Sequence, residues 1–395
     1  MKKIKFYDIK SQKGSITFKV ESKEDYEKPV DIYFKFNRRI KAYNDQIAYL
    51  ISTLCGREYE NIEIDLEITK EIKKNLENFT KAKVKANIVD SIKIPDRSKY
   101  KNIALSFSGG FDSLTAKYLM PKNIKLVSVN FGEWFERENN FFKKFHPYTT
   151  DTNIRRSNIN LNKNSWTFMG CSCIIYCDYL KIKYNIFGTA LEDSLYQLRK
   201  NTSSFDCQAT EPFEYLGEKE IRVVNGLGAI ATAKIILRNY PYYVNDTLLS
   251  IAAAHDEKRY RKQTILDILC KKENIKVDFE HVEPPKEKVE WGKLYFVDFL
   301  MPYLIKNIGL KETEKYITGI PKELIELIKD MKLDFYERVD TNSLTGTSIP
   351  EGKIKIHVMN KLAESGILPY DENDFEEFRK IVDFIIKPYD EKKTN

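Results

Sequence analysis

The sequence predicts an α/β fold, with a mostly parallel sheet between an α+β region and a helical region. From Asn102 onward, short apolar runs alternate with segments of helical period, a pattern that favours a parallel sheet. Before this point, strand-like runs alternate apolar and polar residues, and beyond about residue 245 the apolar residues recur at helical spacing. We therefore expect three domains, at 1–97, 98–245 and 246–395.

The first region contains four predicted strands and two predicted helices. Ile16, Phe18 and Val20 alternate with polar residues, as in a strand with one buried face. The predicted strands here are 15–20, 31–36, 61–66 and 83–89, and the predicted helices are 44–55 and 70–79.

The same periodic patterns predict strands in the central region and helices in the last region. The central strands are expected at 103–107, 125–131, 148–152, 185–189 and 221–224. The C-terminal helices are expected at 257–272, 291–308, 322–331 and 374–386, with proline-containing breaks between them.

Composition limits the classes of protein to consider. Of 395 residues, 42% are hydrophobic and 31% charged, which fits a soluble globular protein, and no apolar run approaches the roughly 20 residues of a membrane span. The N-terminus lacks the apolar stretch of a signal peptide, so six cysteines indicate free thiols in a reducing, cytoplasmic setting. The net charge of +7 is mild and spread along the chain, so it permits nucleic-acid contact without favouring it.

The most informative segment joins the first central strand to the next helix. Adjacent Gly109 and Gly110 let backbone N–H groups approach a ligand, and the helix start adds unpaired donors, so the segment predicts a phosphate site. A carboxylate at Asp112 would repel phosphate unless a cation such as Mg²⁺ lay between them. The alternative is a strand-to-helix turn capped by serine. The candidate residues are Ser106, Ser108, Gly109, Gly110, Asp112 and Ser113.

A second glycine segment follows the fourth central strand. Gly188 and Thr189 precede Glu192 and Asp193, and ligands of parallel sheets bind at the carboxyl ends of strands. We expect these residues, together with Asn130 after the second strand, to line the same crevice. Alternatively, the two acidic residues interact only with a helix dipole.

Three basic residues are further candidates. Lys234 lies on the predicted helix after the fifth strand, and Arg261 and Lys262 belong to the basic run 258–262. Each suits a clamp for pyrophosphate or an anionic substrate, although such residues commonly form a solvated helix face.

The segment Ser-Gly-Gly-Phe-Asp-Ser, 108–113, resembles the signature of the PP-loop ATP pyrophosphatases. The resemblance implies a doubly wound α/β fold that splits ATP into AMP and pyrophosphate and adenylates a substrate oxygen. It also implies ATP and Mg²⁺ as ligands, Asp112, Asp193 and Lys234 as catalytic residues, and Asp112 and Asp193 as metal ligands. A nitrogen or sulfur nucleophile would then displace AMP.

Within that superfamily the chain is similar to 7-cyano-7-deazaguanine synthases. The similarity rests on Gly188-Thr189-x-x-Glu192-Asp193, on a helix carrying Thr232, Ala233 and Lys234, and on the basic run. The zinc-binding cysteines of those synthases are missing, because the last third of the chain contains only Cys270. Two alternatives to a synthase remain. One is a tRNA-thiolating or amide-forming ligase, and the other is a nucleotide-binding component of a multi-protein system, such as an anti-phage system.

The acceptor is expected to be a small molecule, a tRNA base or a partner protein. For assembly, we expect partner proteins or a homo-oligomer, and we expect no association with a membrane. The remaining cysteine cluster, Cys171, Cys173 and Cys177, departs from the C-x₂-C spacing of common zinc sites. It has the pattern of a buried helix face, although cluster ligation or persulfide chemistry is the alternative.

Overall fold

The computed structural model describes residues 2–22, 28–157, 161–195, 198, 210–341 and 352–391. The chain folds into two compact units whose segments interleave along the sequence. The first unit comprises Met1–Ser108, Asn123–Phe187 and Cys207–Ile221, and the second comprises Gly109–Lys122, Gly188–Asp206 and Arg222–Asn395. The division therefore differs from the three consecutive domains that the sequence predicts.

A sheet of ten strands, counted over the described residues, forms the frame of the first unit. The strands are β1 (Lys3–Gln12), β2 (Ser15–Glu21), β3 (Val30–Phe36), β4 (Asn61–Ile68), β5 (Lys83–Ile88), β6 (Asn102–Ser106), β7 (Lys125–Asn130), β8 (Tyr148–Thr152), β9 (Ile182–Ile186) and β10 (Lys219–Glu220). Their order is β10-β9-β6-β7-β8-β3-β2-β1-β4-β5.

Most neighbouring strands of this sheet are parallel, which confirms the predicted α/β class. Pairing is parallel from β10 to β8 and again through β1, β4 and β5, and antiparallel where β8, β3, β2 and β1 meet. Read from β8, the parallel block has the chain order third, second, first, fourth, fifth, so the order reverses between β6 and β9. This arrangement is compatible with a doubly wound fold, whose ligands bind at the carboxyl ends of such strands.

The N-terminal strands continue the same sheet. Residues of β3 pair with β8, so the region 1–97 does not carry a sheet of its own. The sequence prediction missed β1, which lies between β2 and β4. Ile4 and Phe6 of β1 are buried, but the alternation fails at Asp8, whose φ of 56° accompanies a register shift in the pairing with β2.

The described helices are α1 (Asn44–Cys55), α2 (Lys70–Thr80), α3 (Phe111–Leu119), α4 (Glu136–Phe142), α5 (Cys171–Leu180), α6 (Ala229–Asn239), α7 (Val244–Ile251), α8 (Glu257–Glu273), α9 (Tyr295–Asp298), α10 (Met301–Ile308), α11 (Leu310–Thr313), α12 (Lys322–Ile328), α13 (Gly352–Glu364) and α14 (Glu372–Glu391). A short parallel pair, β11 (Val289–Glu290) and β12 (Ile317–Thr318), accompanies them. No helix among the described residues has both the length and the apolar composition needed to span a bilayer.

The core of the first unit explains why its N-terminal part is not separate. Helix α1 contacts α2, α5 and β4, so it packs against helices from both predicted domains. Burial of its apolar side chains, such as Leu50 and Leu54, contributes roughly 2 kcal/mol each to stability. In the second unit, α6 contacts both α3 and α8. Helix α6 therefore connects α3, which follows the glycine turn, to the C-terminal helices.

Three sequence predictions differ from the structure. The fourth strand ends at Ile186 rather than at residue 189, and the fifth is Lys219–Glu220 rather than 221–224. The predicted helix 291–308 is divided into α9 and α10. Pro302, in the first turn of α10, has no N–H to donate to a preceding turn, so a continuous helix is disfavoured.

Candidate functional site

The site begins with the glycine turn that opens α3. Gly109 is buried and has a φ of 81°, a conformation that glycine adopts without the steric cost of a Cβ atom. Gly110 is the N-cap of α3 and makes no side-chain cap. Ser113 Oγ donates to the Gly110 carbonyl at 3.1 Å. Gly110 therefore supplies no N-cap side chain to the first-turn N–H groups of α3.

Gly188 packs directly against this first turn. A Cβ atom at residue 188 would lie 2.7 Å from the Ser113 nitrogen and 3.0 Å from the Ser113 Cα. Real Cβ atoms do not approach backbone atoms so closely, so any side chain here would displace the start of α3. The two glycine segments that the sequence selects are thus brought together in the second unit.

Asp112 is fixed by the neighbouring helix α6. Thr232 Oγ1 donates to Asp112 Oδ1 at 2.7 Å, and Thr115 Oγ1 donates to the Thr232 carbonyl at 3.2 Å. The carboxylate is half-buried and keeps Oδ2 outside this bond. Helix α6 also begins at a glycine N-cap, Gly228, which makes no side-chain cap. Two helix N-termini consequently meet at Asp112.

Glu192 lies on the short 3₁₀ turn Leu191–Asp193 and is almost fully buried. Its Oε1 accepts the Ala229 N–H at 2.8 Å, whereas its Oε2 has no partner among the described residues. Burial first, and then the charge of Asp193, raise the pKa of Glu192 to about 7. A carboxyl group that titrates near neutrality therefore lies beside the start of α6.

Asp193 shares this environment although it remains exposed. Its Oδ2 accepts the Ala190 N–H at 2.6 Å. Desolvation by surrounding protein atoms, followed by the charge of Asp112, raises the pKa of Asp193 to about 6, while that hydrogen bond and Lys262 act in the opposite direction. Repulsion from Asp112 means that a cation between the two carboxylates would be stabilised.

Lys262 supplies the positive charge of the site. Its side chain is buried, and its Nζ lies 5.6 Å from the centre of the Phe111 ring. Burial lowers the pKa of Lys262, and the charges of Asp112 and Glu192 oppose that effect. The charges of Asp112 and Glu192 therefore act on the buried amine, and the role of Lys262 as an anion clamp stays a prediction.

A hydrogen-bonded polar pair, Thr189 and Asn225, borders the second glycine segment. Thr189 Oγ1 donates to Asn225 Oδ1 at 2.9 Å, and Leu191 donates its N–H to the Leu227 carbonyl at 3.0 Å. Asn225 is fully buried, and its Nδ2 has no partner among the described residues. Thr189 thus positions an asparagine that sequence reasoning did not select.

Lys234 and Arg261 are engaged in ion pairs of their own. Lys234 Nζ lies 2.9 Å from Glu337 Oε2 and 3.1 Å from Glu273 Oε1. It is two residues after Thr232, so the two side chains leave α6 about 200° apart. Arg261 Nε lies 2.6 Å from Glu257 Oε1. These contacts favour structural roles for both, and the catalytic role of Lys234 stays a prediction.

The remaining predicted residues belong to the first unit. Ser106 ends β6, and its Oγ lies 3.5 Å from Cys173 Sγ. Ser108 is exposed. Asn130 donates through Nδ2 to Asp151 Oδ1 at 2.7 Å and accepts the Gly132 N–H at 3.0 Å. Asn130 therefore organises the ends of β7 and β8.

The cysteine cluster lies in the apolar core. Cys171, Cys173 and Cys177 are all buried. Desolvation raises the pKa of the Cys171 thiol to about 12 and the pKa values of the other two well above the ordinary value. The thiols therefore stay protonated at neutral pH, as expected of core residues, and Cys207 lies outside the described residues.

Sequence reasoning gave less weight to several residues of the site. Glu192 was a candidate together with Asp193, Thr232 was named only as part of a family-like helix, and Asn225 was not selected. The available signal for Asn225 was a polar residue inside the Val-Val-Asn-Gly-Leu-Gly run that leads into α6. Among the described residues, no group of three or more His, Cys, Asp or Glu side chains has the geometry to hold a metal ion.

Comparisons with known proteins found no family model, no curated protein and no solved structure that matches this chain.

Proposed function

We propose that the chain is an AMP-forming ATP pyrophosphatase of the PP-loop type, with the doubly wound fold of that superfamily. The observation that carries this proposal is the arrangement around Asp112. A positive-φ glycine precedes α3, Gly188 packs on the first turn of α3, and the amine of buried Lys262 lies 5.6 Å from the Phe111 ring centre and is influenced by the charge of Asp112. Each part suits a polyphosphate, and together they lie within one compact unit.

The phosphates of ATP would lie on the first turn of α3. Backbone N–H groups at a helix start bind anions, and the glycines at 109 and 110 allow close approach of the backbone. Lys262 would offset part of the phosphate charge, and its buried setting strengthens that attraction relative to water. We assign this role to Lys262 rather than to Lys234, whose amine already meets two carboxylates.

The residues present fit a magnesium ion that accompanies the nucleotide. Mg²⁺ is usually bound by one or two carboxylates together with substrate phosphates, so a complete protein cage is not expected. Asp112 and Asp193 would hold it. Burial first, and then the charge of Asp112, raise the pKa of Asp193, and a cation there would relieve both effects. When bound, the ion would shield the negative charge of the phosphates.

The proposed reaction transfers AMP to an oxygen of the acceptor. A carboxylate, amide or carbonyl oxygen attacks the α phosphorus, the bond to the bridging oxygen of the β phosphate breaks, and pyrophosphate leaves. A nitrogen or sulfur nucleophile then displaces AMP. Catalysis in such a site is mainly positioning and charge stabilisation. We propose a cytoplasmic location, where the cysteines stay reduced.

Product analysis with labelled ATP tests the proposal. The protein is incubated with Mg²⁺, ATP labelled at the α phosphate and a panel of carboxylate, amide and carbonyl acceptors. AMP plus pyrophosphate, lost on Asp112→Asn, is the expected result. ADP plus phosphate would contradict it. Calorimetric titration with an α,β-methylene ATP analogue tests the site without an acceptor, and equal affinity in Gly188→Ala would place the nucleotide elsewhere.

A further inference from the structure

The guanidinium of Arg155 contacts two phenylalanine rings of the first unit, Phe131 and Phe135. Its guanidinium carbon is 4.0 Å from the Phe131 ring centre and 4.2 Å from the Phe135 ring centre. The two rings are 5.6 Å apart and inclined by 63°. Contact with two aromatic rings fixes the plane of a guanidinium and restricts its rotation.

The ends of two strands hold this arrangement in place. Phe131 directly follows β7, and Arg155 lies in the turn after β8 in which the Arg156 N–H donates to the Asn153 carbonyl at 2.8 Å. The Asn130–Asp151 hydrogen bond ties the ends of these two parallel strands together. Phe131 is almost fully buried, so it cannot easily turn away from the arginine.

The part of the chain that the structure describes offers no hydrogen-bond partner to the Arg155 guanidinium. Its Nε is buried without a partner, and none of its nitrogens forms a hydrogen bond or an ion pair with a described residue. Burial lowers the pKa of Arg155, and the charge of Glu138 opposes that effect. Arg156, the next residue, differs, since it donates to the Tyr33 hydroxyl and lies 3.8 Å from Glu133.

Partial removal of a guanidinium from water is costly when its N–H donors have no described hydrogen-bond partner, and a bound anion would lower that cost. Its planar fork of N–H donors matches the two oxygens of a carboxylate or phosphoryl group. We propose that Arg155, held by Phe131 and Phe135, is the anchor of an oxyanion-binding site that accepts a carboxylate or phosphoryl group of a small molecule. Every contact that defines this site lies in the first unit.

The test uses the full chain with ¹⁵N-labelled arginine side chains. The Nε–Hε resonance of Arg155 is assigned by its loss in Arg155→Lys and is followed while sodium acetate or inorganic phosphate is added at constant ionic strength. We expect a saturable shift with at least one probe. Whichever probe saturates identifies the group, a carboxylate or a phosphate.

Three variants make the test specific. Arg155→Lys keeps the charge but loses the fork, so calorimetric affinity for the saturating probe should fall roughly tenfold or more. Phe135→Leu removes one ring and should weaken binding, whereas Arg156→Lys, the matched control, should leave it unchanged. Shifts that stay linear with both probes, or equal affinity in Arg155→Lys and the unmodified chain, would overturn the proposal.

Discussion

Glu192 and Glu218 offer a matched pair for separating the electrostatics of the site from those of the fold. Both are almost fully buried, and each has one carboxylate oxygen without a partner among the described residues. Burial is the first cause that raises the pKa of each to about 7. Glu192 lies beside Asp112, whereas Glu218 lies in the other unit and accepts a hydrogen bond from Asn185 at 2.9 Å.

The expected effect on stability follows from proton linkage. A carboxyl group with a pKa of about 7 in the folded chain and an ordinary value of 4.5 binds protons more tightly when folded. The contribution of this carboxyl group to stability is therefore fully present below about pH 4.5 and is lost as the pH rises through about 7. At 1.36 kcal/mol per pKa unit the whole loss is about 3 kcal/mol, of which about 2 kcal/mol falls between about pH 5.5 and pH 8.5.

The variants Glu192→Gln and Glu218→Gln remove this titration while keeping the shape of the side chain. Each should gain about 2 kcal/mol in free energy of unfolding, relative to the unmodified chain, between about pH 5.5 and pH 8.5. Urea denaturation followed by tryptophan fluorescence at the two pH values measures the change. A difference from the unmodified chain that is the same at both would refute the reasoning.

Activity then separates the two variants. Glu192 contributes charge next to Asp112 and Lys262, so Glu192→Gln should slow AMP formation even though it stabilises the chain. Glu218→Gln should stabilise the chain to a similar extent and keep full activity. Equal loss of activity in both would show that stability, and not the site, limits the reaction.

Further predictions concern the phosphate-binding turn. Asp112→Asn should lower the rate of AMP formation about 100-fold if the carboxylate positions the cation, measured by the initial rate of pyrophosphate release at saturating ATP. Gly188→Ala should cost about 1–3 kcal/mol of stability and weaken nucleotide binding, because its Cβ would lie 2.7 Å from the Ser113 nitrogen; thermal melting and calorimetry would detect both. Lys262→Met should weaken ATP binding roughly tenfold or more while removing a buried charge, so a calorimetric affinity equal to that of the unmodified chain would exclude it from the site.

Local patterns predicted much of the fold. The strands β2, β3, β7 and β8 and the helices α1, α2 and α8 lie within one or two residues of the predicted bounds. These elements carry clear period-2 or helical spacing of apolar residues, which a single sequence displays directly. The continuous sheet was not predictable in this way. Pairing of β3 with β8 joins residues more than 100 positions apart, and nothing in either strand specifies its partner.

The sequence predicted those residues of the site whose backbone conformation or close packing requires glycine. Gly109 needs a positive φ, and Gly188 has no room for a side chain, so both glycines carry a physical requirement that the sequence reveals. Charged residues lack such a signal. Lys234 and Lys262 look alike in the sequence, yet one ends between two glutamates and the other beside Asp112. Only tertiary packing decides which of them faces the turn.

The charges of the site also decide which form of the nucleotide should bind. Asp112, Glu192 and Asp193 place up to three negative charges in this region. Burial first, and then the neighbouring carboxylates, raise the pKa values of Glu192 and Asp193. A phosphate chain entering alone would add to that repulsion, whereas a nucleotide that brings Mg²⁺ would relieve it.

We therefore expect the magnesium complex of ATP to bind well and free ATP to bind poorly. The preference should grow as the pH rises from about 5.5 to about 8, since Asp193 and Glu192 ionise with pKa values of about 6 and about 7. Calorimetric titration with and without EDTA across that range measures it. Free ATP that binds as tightly as its magnesium complex at the upper end would contradict the assignment of these carboxylates to the nucleotide site, because three ionised acids with one lysine repel an unshielded triphosphate.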